Sequence, residues 1–455
     1  MTSKSQHEFF QDPRVKKIKK YFLFSSTHHY AEDFGHMISE TPLAIFLPPT
    51  VEVLQQFLPL ACEYKIKISC RGKGNSVYGQ SQVENGVIID LKDLNLSFEF
   101  NSDGTSSIRA PAFRTWSELI EYSKHQNKTV PVTVDSLDLT IGGTLSFAAL
   151  GGTSYRCGSG ADNVLGLDIV TLDGERHICS KTENRELFDA ALCGLGQFGI
   201  IINVIIPLIT AKKKVTMHLL SYDHADQFLR EQKALYNSKL FDHLKGYARK
   251  RKDQWAYVIE AVSYYDESED KCVKDQLMQL SPKDHAIETM SYWEFINTVT
   301  EVINELRVNG KLNVPHPWYT VLMPEKEVEE HLTKLLAIPW LMGTEPIVIY
   351  PMNSACFQQA LFIKPEAQTF YLLAVLYNTS MDATHNLPYQ EILNRNKILY
   401  LEAKKVGGCR YPIDAIPFSP EDWSQHFGKK WKDVCALKEK YDPKHLLSTG
   451  INIFD

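Results

Sequence analysis

The sequence lacks the long apolar run that a membrane-spanning helix requires. Its longest apolar stretch covers residues 198–210 and is interrupted by Asn203 and Pro207, whereas a bilayer needs about 20 such residues. We expect that stretch to form a buried strand and the chain to have no membrane span. The N-terminal segment, residues 1–22, also lacks the apolar core of a secretory signal. We therefore expect a cytoplasmic location, and export by a route without a cleaved signal stays open.

Other absences argue against several classes of function. The formal net charge of -6 provides no broad basic surface for a nucleic-acid backbone. The nine cysteines are odd in number and form no C-x-x-C pair, which indicates reduced thiols rather than a disulfide framework. The chain contains neither the H-E-x-x-H pattern of a zinc hydrolase nor the G-x-S-x-G pattern of an acyl-transfer nucleophile. We expect no nucleic-acid partner and no metal site.

The length and patterning of the chain indicate two domains. A chain of 455 residues with 44% hydrophobic content is too long for one compact domain. Glycine-rich segments become scarce after residue 209, so we predict a first domain over residues 1–210, completed by residues 412–455, and a second over 211–411. Strand and helix patterns are mixed, and Asp173-Gly174 lies between two strand patterns as in a tight hairpin. These features predict an α+β fold rather than a βαβ series.

Three glycine-rich segments could contact a phosphate. GLGQFG at residues 194–199 matches the dinucleotide pattern, but a helix pattern precedes it and a strand pattern follows, which is the wrong order. RGKGNSVYGQS at 71–81 and IGGTLSFAALGGTSYRCGSG at 141–160 each follow an extended segment. Backbone N–H groups of such loops can converge on an anion. The two loops could together surround a diphosphate, although each alone could be a simple turn.

A series of motifs extends this pattern over the whole chain. In order, they are RGKGNSVYGQ, GVIIDL, DLTIGGTLS, ADNVLGLDIVTLDGE, LFDAALCGLGQFGII, HPWYTV, IVIYPMN, FYLLAVLY, HFGKKW and YDPKHLLSTGINIF. This series resembles the cytokinin dehydrogenases, within the FAD enzymes named after vanillyl-alcohol oxidase and p-cresol methylhydroxylase (PCMH). The resemblance implies a two-domain α+β flavoprotein with a PCMH-type FAD-binding domain and an α/β cap domain for the substrate.

The resemblance also implies which residues bind FAD. The two loops would surround its diphosphate, and residues 163–164 and 199–201 would close around its two ends. The implied cofactor-binding residues are Arg71, Gly72, Lys73, Gly74, Asn75, Ser76, Gln80, Thr140, Gly142, Gly143, Thr144, Ser146, Asn163, Val164, Gly199, Ile201 and Tyr411. In the family the first loop reads G-H-S, and its histidine is bonded covalently to the flavin. Asn75 cannot form that bond, so we expect noncovalent FAD.

Asp135 is the implied catalytic residue. It stands where the family has an aspartate that accepts a hydrogen bond or proton from the secondary amine of the substrate. The implied reaction oxidises the N6 side-chain amine of isopentenyladenine-type cytokinins: a hydride passes from the carbon beside nitrogen to flavin N5, and the imine is hydrolysed to adenine and an aldehyde. Alternatively, Asp135 is a solvated residue at the end of a strand or caps a turn, and the nearby Asp138 could be mistaken for the active carboxylate.

Lys245 departs from the family in the implied substrate site. It stands where the family has a glutamate that accepts the adenine ring N–H, and an ammonium cannot accept. If residues 245–251 form a strand, Lys245, Tyr247, Arg249 and Arg251 share one face. That face would favour anionic, N9-substituted forms of the substrate, such as a nucleotide. A solvated basic surface is the alternative interpretation.

Trp318 and Tyr411 would, by the same resemblance, line the cleft for the isoprenoid side chain. Thr320 stands where plant members commonly have Asn, and Cys157 where they have His. The implied partners are a small N6-substituted adenine and a quinone-like electron acceptor, with the oligomeric state open. Two other functions stay open: an FAD oxidase of an alcohol or sugar on the same fold, and a flavin- or purine-binding protein without turnover.

Overall fold

The computed structural model describes residues 3–25, 27–101, 106–251, 254–338, 346–378 and 388–454. Two short helices, α1 (Ser3–Gln11) and α2 (Pro13–Ile18), begin the chain. The first sheet has the strand order β1-β2-β4-β3. Its strands are β1 (Phe22–Leu23), β2 (Ala44–Phe46), β3 (Ile68–Cys70) and β4 (Val87–Ile89). Helix α3 (Val51–Glu63) connects β2 to β3, and both strands pair with β4 in parallel. This single βαβ crossover was not expected.

A second, five-stranded sheet follows, and it is antiparallel. Its strand order is β5-β6-β10-β8-β9. The strands are β5 (Glu99–Phe100), β6 (Ser107–Pro111), β8 (Gly166–Val170), β9 (Arg176–Ser180) and β10 (Ile200–Pro207). Gly174 turns the β8–β9 hairpin with a φ of +85°, and β10 is the buried strand predicted from its apolar run. Two further strands, β7 (Lys128–Thr129) and β11 (Ile209–Thr210), pair with each other.

Four helices accompany these sheets and connect their strands. They are α4 (Trp116–Lys124), α5 (Ile141–Leu145), α6 (Ser154–Cys157) and α7 (Arg185–Ala191). Thr115 caps α4 through a capping box with Glu118, which satisfies the first amides of the helix. α7 precedes and β10 follows the GLGQFG segment, so the predicted order around that segment is confirmed.

Between residues 214 and 410, the described strands form one eight-stranded antiparallel sheet with the order β15-β12-β14-β13-β17-β18-β16-β19. Its strands are β12 (Lys214–Tyr222), β13 (His243–Arg251), β14 (Gln254–Tyr265), β15 (Asp284–Ser291), β16 (Tyr319–Pro324), β17 (Ile347–Asn353), β18 (Thr369–Val375) and β19 (Cys409–Arg410). Its helices are α8 (Ala225–Ser238), α9 (Lys271–Leu277), α10 (Tyr292–Val308), α11 (Val328–Leu336) and α12 (Tyr389–Lys405). Apart from the pairs with β4, every described ladder is antiparallel, so the fold is α+β as predicted.

Side chains alternate between the two faces of this large sheet. On the inner face, Leu322, Tyr350 and Leu372 join a hydrophobic core that includes Trp116 and Ile141 of the N-terminal region. On the outer face, the intervening residues pack against α8, α11 and α12. The inner face therefore forms the wall that a ligand between the two regions would contact.

The C-terminal tail packs against the N-terminal sheets. It contains α13 (Pro420–Phe427) and α14 (Trp431–Tyr441), and its Leu447 pairs with Ile68 of β3. Buried Lys438 lies 2.8 Å from Asp442 and donates to the side chain of Gln197 at 2.7 Å. The predicted division into residues 1–210 with 412–455 and residues 211–411 stays a prediction. Within the described part of the chain, no helix is both long and apolar enough to cross a bilayer.

Candidate active site

The first glycine-rich loop leaves the end of β3 and is tightly fixed. The Arg71 guanidinium donates to the carbonyls of Tyr30 and Glu32, at 3.3 and 2.7 Å. Burial lowers the pKa of Arg71, although nearby acidic groups oppose that shift. Gly74 has a φ of +71°. A Cβ on Gly72 would lie 2.3 Å from the Thr140 hydroxyl, so only glycine fits there. The first loop thus contacts the start of the second.

Asp33 organises this loop, and the sequence patterns did not identify it. Its carboxylate accepts hydrogen bonds from the Gly35 and Gly79 amides and from the Ser76 hydroxyl, at 3.1, 2.8 and 2.9 Å. Burial raises the pKa of Asp33 to about 6, although these hydrogen bonds oppose the shift. The Phe34 amide also donates to the Gly74 carbonyl. Residues 33–35 therefore hold the loop from one side.

The second glycine-rich segment begins with helix α5. The Gly142 amide donates to the Ala112 carbonyl at 2.7 Å, which ties the helix to the end of β6. Thr144 accepts from the Trp116 indole at 2.9 Å, and the Ser146 hydroxyl donates to the Gly142 carbonyl. A Cβ on Gly143 would lie 2.8 Å from the Thr140 hydroxyl. These residues shape the segment mainly through their backbone and their contacts with one another.

A solvent-open groove of about 980 Å³ runs beside the first loop. Four predicted residues line it: Arg71, Lys73, Gly74 and Asn75. Residues that were not predicted also line it, including His28, Glu118 and Arg307 of α10. The wall also carries carboxylates, from Glu32, Asp33, Glu118 and Asp138. Beside these, the glycine-rich backbone and the cationic side chains of Lys73 and Arg307 suit an extended anionic ligand such as the diphosphate of FAD. The residues present therefore fit that cofactor.

Other predicted cofactor residues lie outside the described lining of this groove. Gln80 accepts from the Tyr78 amide and donates to the Asp414 carbonyl, while Asn163 donates to two neighbouring carbonyls. Four other predicted residues also lie outside the lining: Val164, Gly199, Ile201 and Tyr411. Of these, Val164, Ile201 and Tyr411 are buried in the core. Tyr411 lines a separate small pocket together with Phe147 and Phe362. Four of the predicted cofactor residues thus line the groove, whereas others, such as Tyr411, lie in the core.

Asp135 faces the inner side of the large sheet. The Tyr350 hydroxyl of β17 donates to Asp135 Oδ2. Burial, and then the negative charge of Asp135, raise the pKa of Tyr350 well above its ordinary range, so the phenol keeps its proton. The alternative residue, Asp138, accepts from the Ser117 hydroxyl and from the Asn304 amide at 2.9 and 2.8 Å. Asp138 is therefore held by two partners on the wall of the groove.

Lys245 lies on the same inner face but is already paired. Its Nζ is 3.2 Å from Oε1 of Glu260, which stands directly opposite on β14. His243 Nε2 is 3.4 Å from the same oxygen. Burial lowers the pKa of the Lys245 ammonium, but the charges of Glu260 and Asp135 outweigh burial and raise it. Glu260 was not predicted, because its position opposite Lys245 depends on the register between β13 and β14. In that register Arg251 pairs with Gln254, and no local sequence pattern indicates this pairing.

Arg249 lies four residues after Lys245 along β13, which is a strand as predicted. It is exposed, and its guanidinium lies 4.6 Å from the Tyr247 ring centroid. The side chain of Arg251 lies outside the described part of the structure. Lys245 and Arg249 therefore share a face but differ in environment, one buried in an ion pair and the other solvated.

The HPWYT segment contains buried polar atoms at the start of β16. Thr320 points to the same side as Leu322, which packs in the interface core. Trp318 precedes the strand and packs against the cluster that contains Met37, Val77 and Ala415. Neither the Trp318 indole nitrogen nor the Thr320 hydroxyl has a hydrogen-bond partner among the described residues. His316 stacks on Phe34 at 4.2 Å, and burial lowers its pKa to about 4. Buried polar groups are rarely left unpaired, so Trp318 and Thr320 mark a position where a ligand would supply partners.

Comparison with known protein families yields two matches along the chain. A family model described as cytokinin dehydrogenase 1, FAD and cytokinin binding, matches residues 217–454, and one described as an FAD binding domain matches residues 42–180. An uncharacterized oxidoreductase in the fasciation locus of Rhodococcoides fascians is 33% identical, covering 92% of this chain and 95% of its own. Cytokinin dehydrogenase 3 of Arabidopsis thaliana is 28% identical, covering 94% and 89%.

Solved structures share the fold at low identity. The 6-hydroxy-D-nicotine oxidase of Arthrobacter nicotinovorans has a TM-score of 0.72 and 17% identity, and the alignment covers 94% of this chain and 96% of that one. A VAO-type flavoprotein from Myceliophthora thermophila has a TM-score of 0.74 and 14% identity, with 100% and 95% covered. At this identity the likeness concerns the fold alone.

Proposed function

The chain belongs to the cytokinin dehydrogenase family of FAD-dependent oxidoreductases, and from this premise we propose that it oxidises the N6 side-chain amine of isopentenyladenine-type compounds. One observation carries the proposal: Asp135 faces the inner side of the sheet with a single described donor, Tyr350, on its Oδ2 atom. Among the described residues no donor is bonded to Oδ1. That oxygen would accept the hydrogen of a substrate amine.

The residues around Asp135 suit this reaction. An amine that donates to a carboxylate keeps electron density on nitrogen, which favours loss of a hydride from the adjacent carbon. Bound FAD would supply the oxidising power by taking up that hydride. Trp318 would contact the apolar side chain, and Thr320 would hydrogen-bond the substrate with its otherwise unpaired hydroxyl. The imine would then be hydrolysed to adenine and an aldehyde.

An anaerobic titration with N6-isopentenyladenine tests this proposal. We expect the visible flavin band to bleach, and the Asp135→Asn variant to bleach far more slowly. Asp138→Asn tests the neighbouring carboxylate of the same segment, which accepts from Ser117 and Asn304 and lines the groove. A band that is perturbed but stays oxidised would indicate binding without chemistry. Bleaching by alcohols or sugars instead would favour the other oxidase function.

The FAD of this protein is proposed to be noncovalent. Asn75 lines the groove in place of the linking histidine of the family, and its amide cannot form a stable bond to the flavin. Denaturing the yellow protein with acid should leave the flavin in the supernatant. Yellow colour retained in the washed pellet would contradict the proposal. A quinone-like acceptor is proposed for reoxidation, and anaerobic turnover with a benzoquinone would support it.

A preference for anionic, N9-substituted forms is the finer part of the proposal. Lys245 is already neutralised by Glu260, so support for this preference comes from Arg249, which is exposed on the same face of β13. Arginine is well suited to bind a phosphate through two parallel hydrogen bonds. Comparing kcat/KM for isopentenyladenine and its riboside 5′-phosphate tests the preference, with Arg249→Gln as the variant that should remove it. Equal kcat/KM values for both substrates would contradict the proposed preference.

A further inference from the structure

Two polar side chains of the first glycine-rich loop are bonded to an N-terminal segment, residues 30–35. The Arg71 guanidinium donates to two backbone carbonyls of that segment, at 3.3 and 2.7 Å. The Ser76 hydroxyl donates to Asp33 Oδ2 at 2.9 Å, and the Ser81 hydroxyl lies 2.9 Å from the same Ser76 oxygen. Both Arg71 and Ser76 were expected to bind the cofactor, yet their polar atoms already have partners within the protein.

Asp33 is the centre of this contact between the segment and the loop. Its Oδ1 accepts from the Gly35 amide at 3.1 Å, and its Oδ2 accepts from the Gly79 amide at 2.8 Å as well as from the Ser76 hydroxyl. Only 3% of Asp33 is exposed, and burying a carboxylate is costly unless donors compensate it. An asparagine could not replace it, because its side chain has one accepting oxygen where the carboxylate has two.

The backbone of the segment also fixes the backbone of the loop. The Phe34 amide donates to the Gly74 carbonyl at 2.8 Å, and the Gly35 amide donates to the Ser76 carbonyl at 3.2 Å. The loop carbonyls are thus bonded to the segment, whereas among the described residues no acceptor is bonded to the amides of residues 72–76. Consecutive amides without protein acceptors can form a concave N–H cluster that binds an anion. The segment therefore holds the loop while leaving its amides available.

We propose that Asp33 is a positioning residue for the cofactor, which holds the loop in the form that presents the amides of residues 72–76 to the FAD diphosphate. The Ser76 hydroxyl contributes through Asp33 and not by contacting a phosphate. A carboxylate repels a phosphate, so Asp33 strengthens FAD binding only by shaping the loop. The inference rests on the proposed function in one respect, because it takes the FAD to be noncovalent.

Fluorescence titration of deflavinated protein with FAD tests this role. Asp33→Asn should raise the dissociation constant of FAD by about 10- to 100-fold, because hydrogen bonds to a charged group are lost. If the charge of Asp33 acted directly on the phosphates, the same variant would instead tighten FAD binding. Ser76→Ala should raise the dissociation constant less. The double variant should bind FAD about as weakly as Asp33→Asn alone, because both changes break the same hydrogen bond. Effects that multiply would mean that Ser76 contacts the cofactor independently of Asp33.

A second measurement separates positioning from general stability. Urea unfolding of each deflavinated variant gives the conditions under which the protein is folded, and the FAD titrations are made there. A residue with a merely structural role would lower the unfolding midpoint and leave the dissociation constant of FAD unchanged. Asp173→Asn is the matched control, because Asp173 likewise accepts from a hydroxyl and an amide, those of Thr171 and Glu175, at 2.6 and 3.0 Å in the β8–β9 hairpin. It should keep the wild-type affinity for FAD.

The outcomes distinguish this inference from the proposed function. If wild-type protein releases and rebinds FAD but Asp33→Asn binds it equally well or more tightly, the inference is wrong and noncovalent FAD stands. Flavin retained in the acid pellet of the wild type would overturn both. The titrations use no substrate, so a failure to oxidise isopentenyladenine would overturn the amine oxidation alone. Should Asp33→Asn fail to fold, Ser76→Ala decides: a raised dissociation constant supports the inference, and an unchanged one overturns it.

Discussion

Replacing Tyr350 with Phe removes the hydroxyl that donates to Asp135 and leaves the packing of the ring intact. The ring is only 3% exposed and belongs to the interface core, so the phenyl group keeps its contacts. A hydrogen bond to a charged group contributes about 1.5 to 3 kcal/mol. At about 1.4 kcal/mol for each factor of ten, its loss corresponds to a decrease in rate of roughly 10- to 150-fold.

The assay is anaerobic stopped-flow reduction of the flavin by N6-isopentenyladenine. Tyr222→Phe provides the matched control: its hydroxyl donates to buried Glu231 at 2.9 Å on the outer face of the same sheet. It should lose stability comparable to that of Tyr350→Phe and keep the wild-type reduction rate. Wild-type reduction by Tyr350→Phe would refute the role of this hydrogen bond. Equal slowing in both variants would mean that general destabilisation, and not Asp135, is responsible.

Three further changes test the cofactor loop, the tail and the buried histidines. Gly72→Ala should weaken FAD binding by at least about tenfold, or ~1.4 kcal/mol, in a fluorescence titration of deflavinated protein, because its methyl would lie 2.3 Å from the Thr140 hydroxyl. Lys438→Met should lower the free energy of unfolding in urea by about 3 to 5 kcal/mol, because it leaves buried Asp442 unpaired. Burial lowers the pKa of His426 from 6.5 to about 3. The stability that depends on the neutral, buried imidazole is therefore present above pH 6.5 and is lost as the pH falls toward 3. His426→Phe should therefore show a smaller loss of urea stability between pH 7 and 4.5.

Elements with strong local signals could be predicted from the sequence. The helix after Thr50 has apolar residues at helical spacing and a capping threonine. The hairpin at Asp173-Gly174 follows from turn chemistry, and β10 from a largely apolar run. The parallel pairing of β2 and β3 with β4 could not be foreseen in the same way. It depends on contacts between segments that no local pattern relates.

The partners of the site residues were harder to predict than the residues themselves. Asp33 is separated from Gly79 by 46 positions, and Tyr350 from Asp135 by 215, so only the folded chain brings each pair together. Conversely, Gln80 and Asn163 were assigned to the cofactor because of their loops, yet their amides are bonded to the protein. Loop membership alone does not tell whether a side chain points to a ligand or to its own backbone.

Lys245 illustrates why a departure from a family pattern must be considered together with its neighbours. Considered alone, an ammonium in place of a carboxylate suggests that the site has lost an acceptor. The pairing of β13 with β14 places the carboxylate of Glu260 directly opposite, at 3.2 Å. The inner face therefore still contains a buried carboxylate, and the charge of Lys245 is compensated within the protein. The lysine by itself is thus no argument that the site lacks an acceptor.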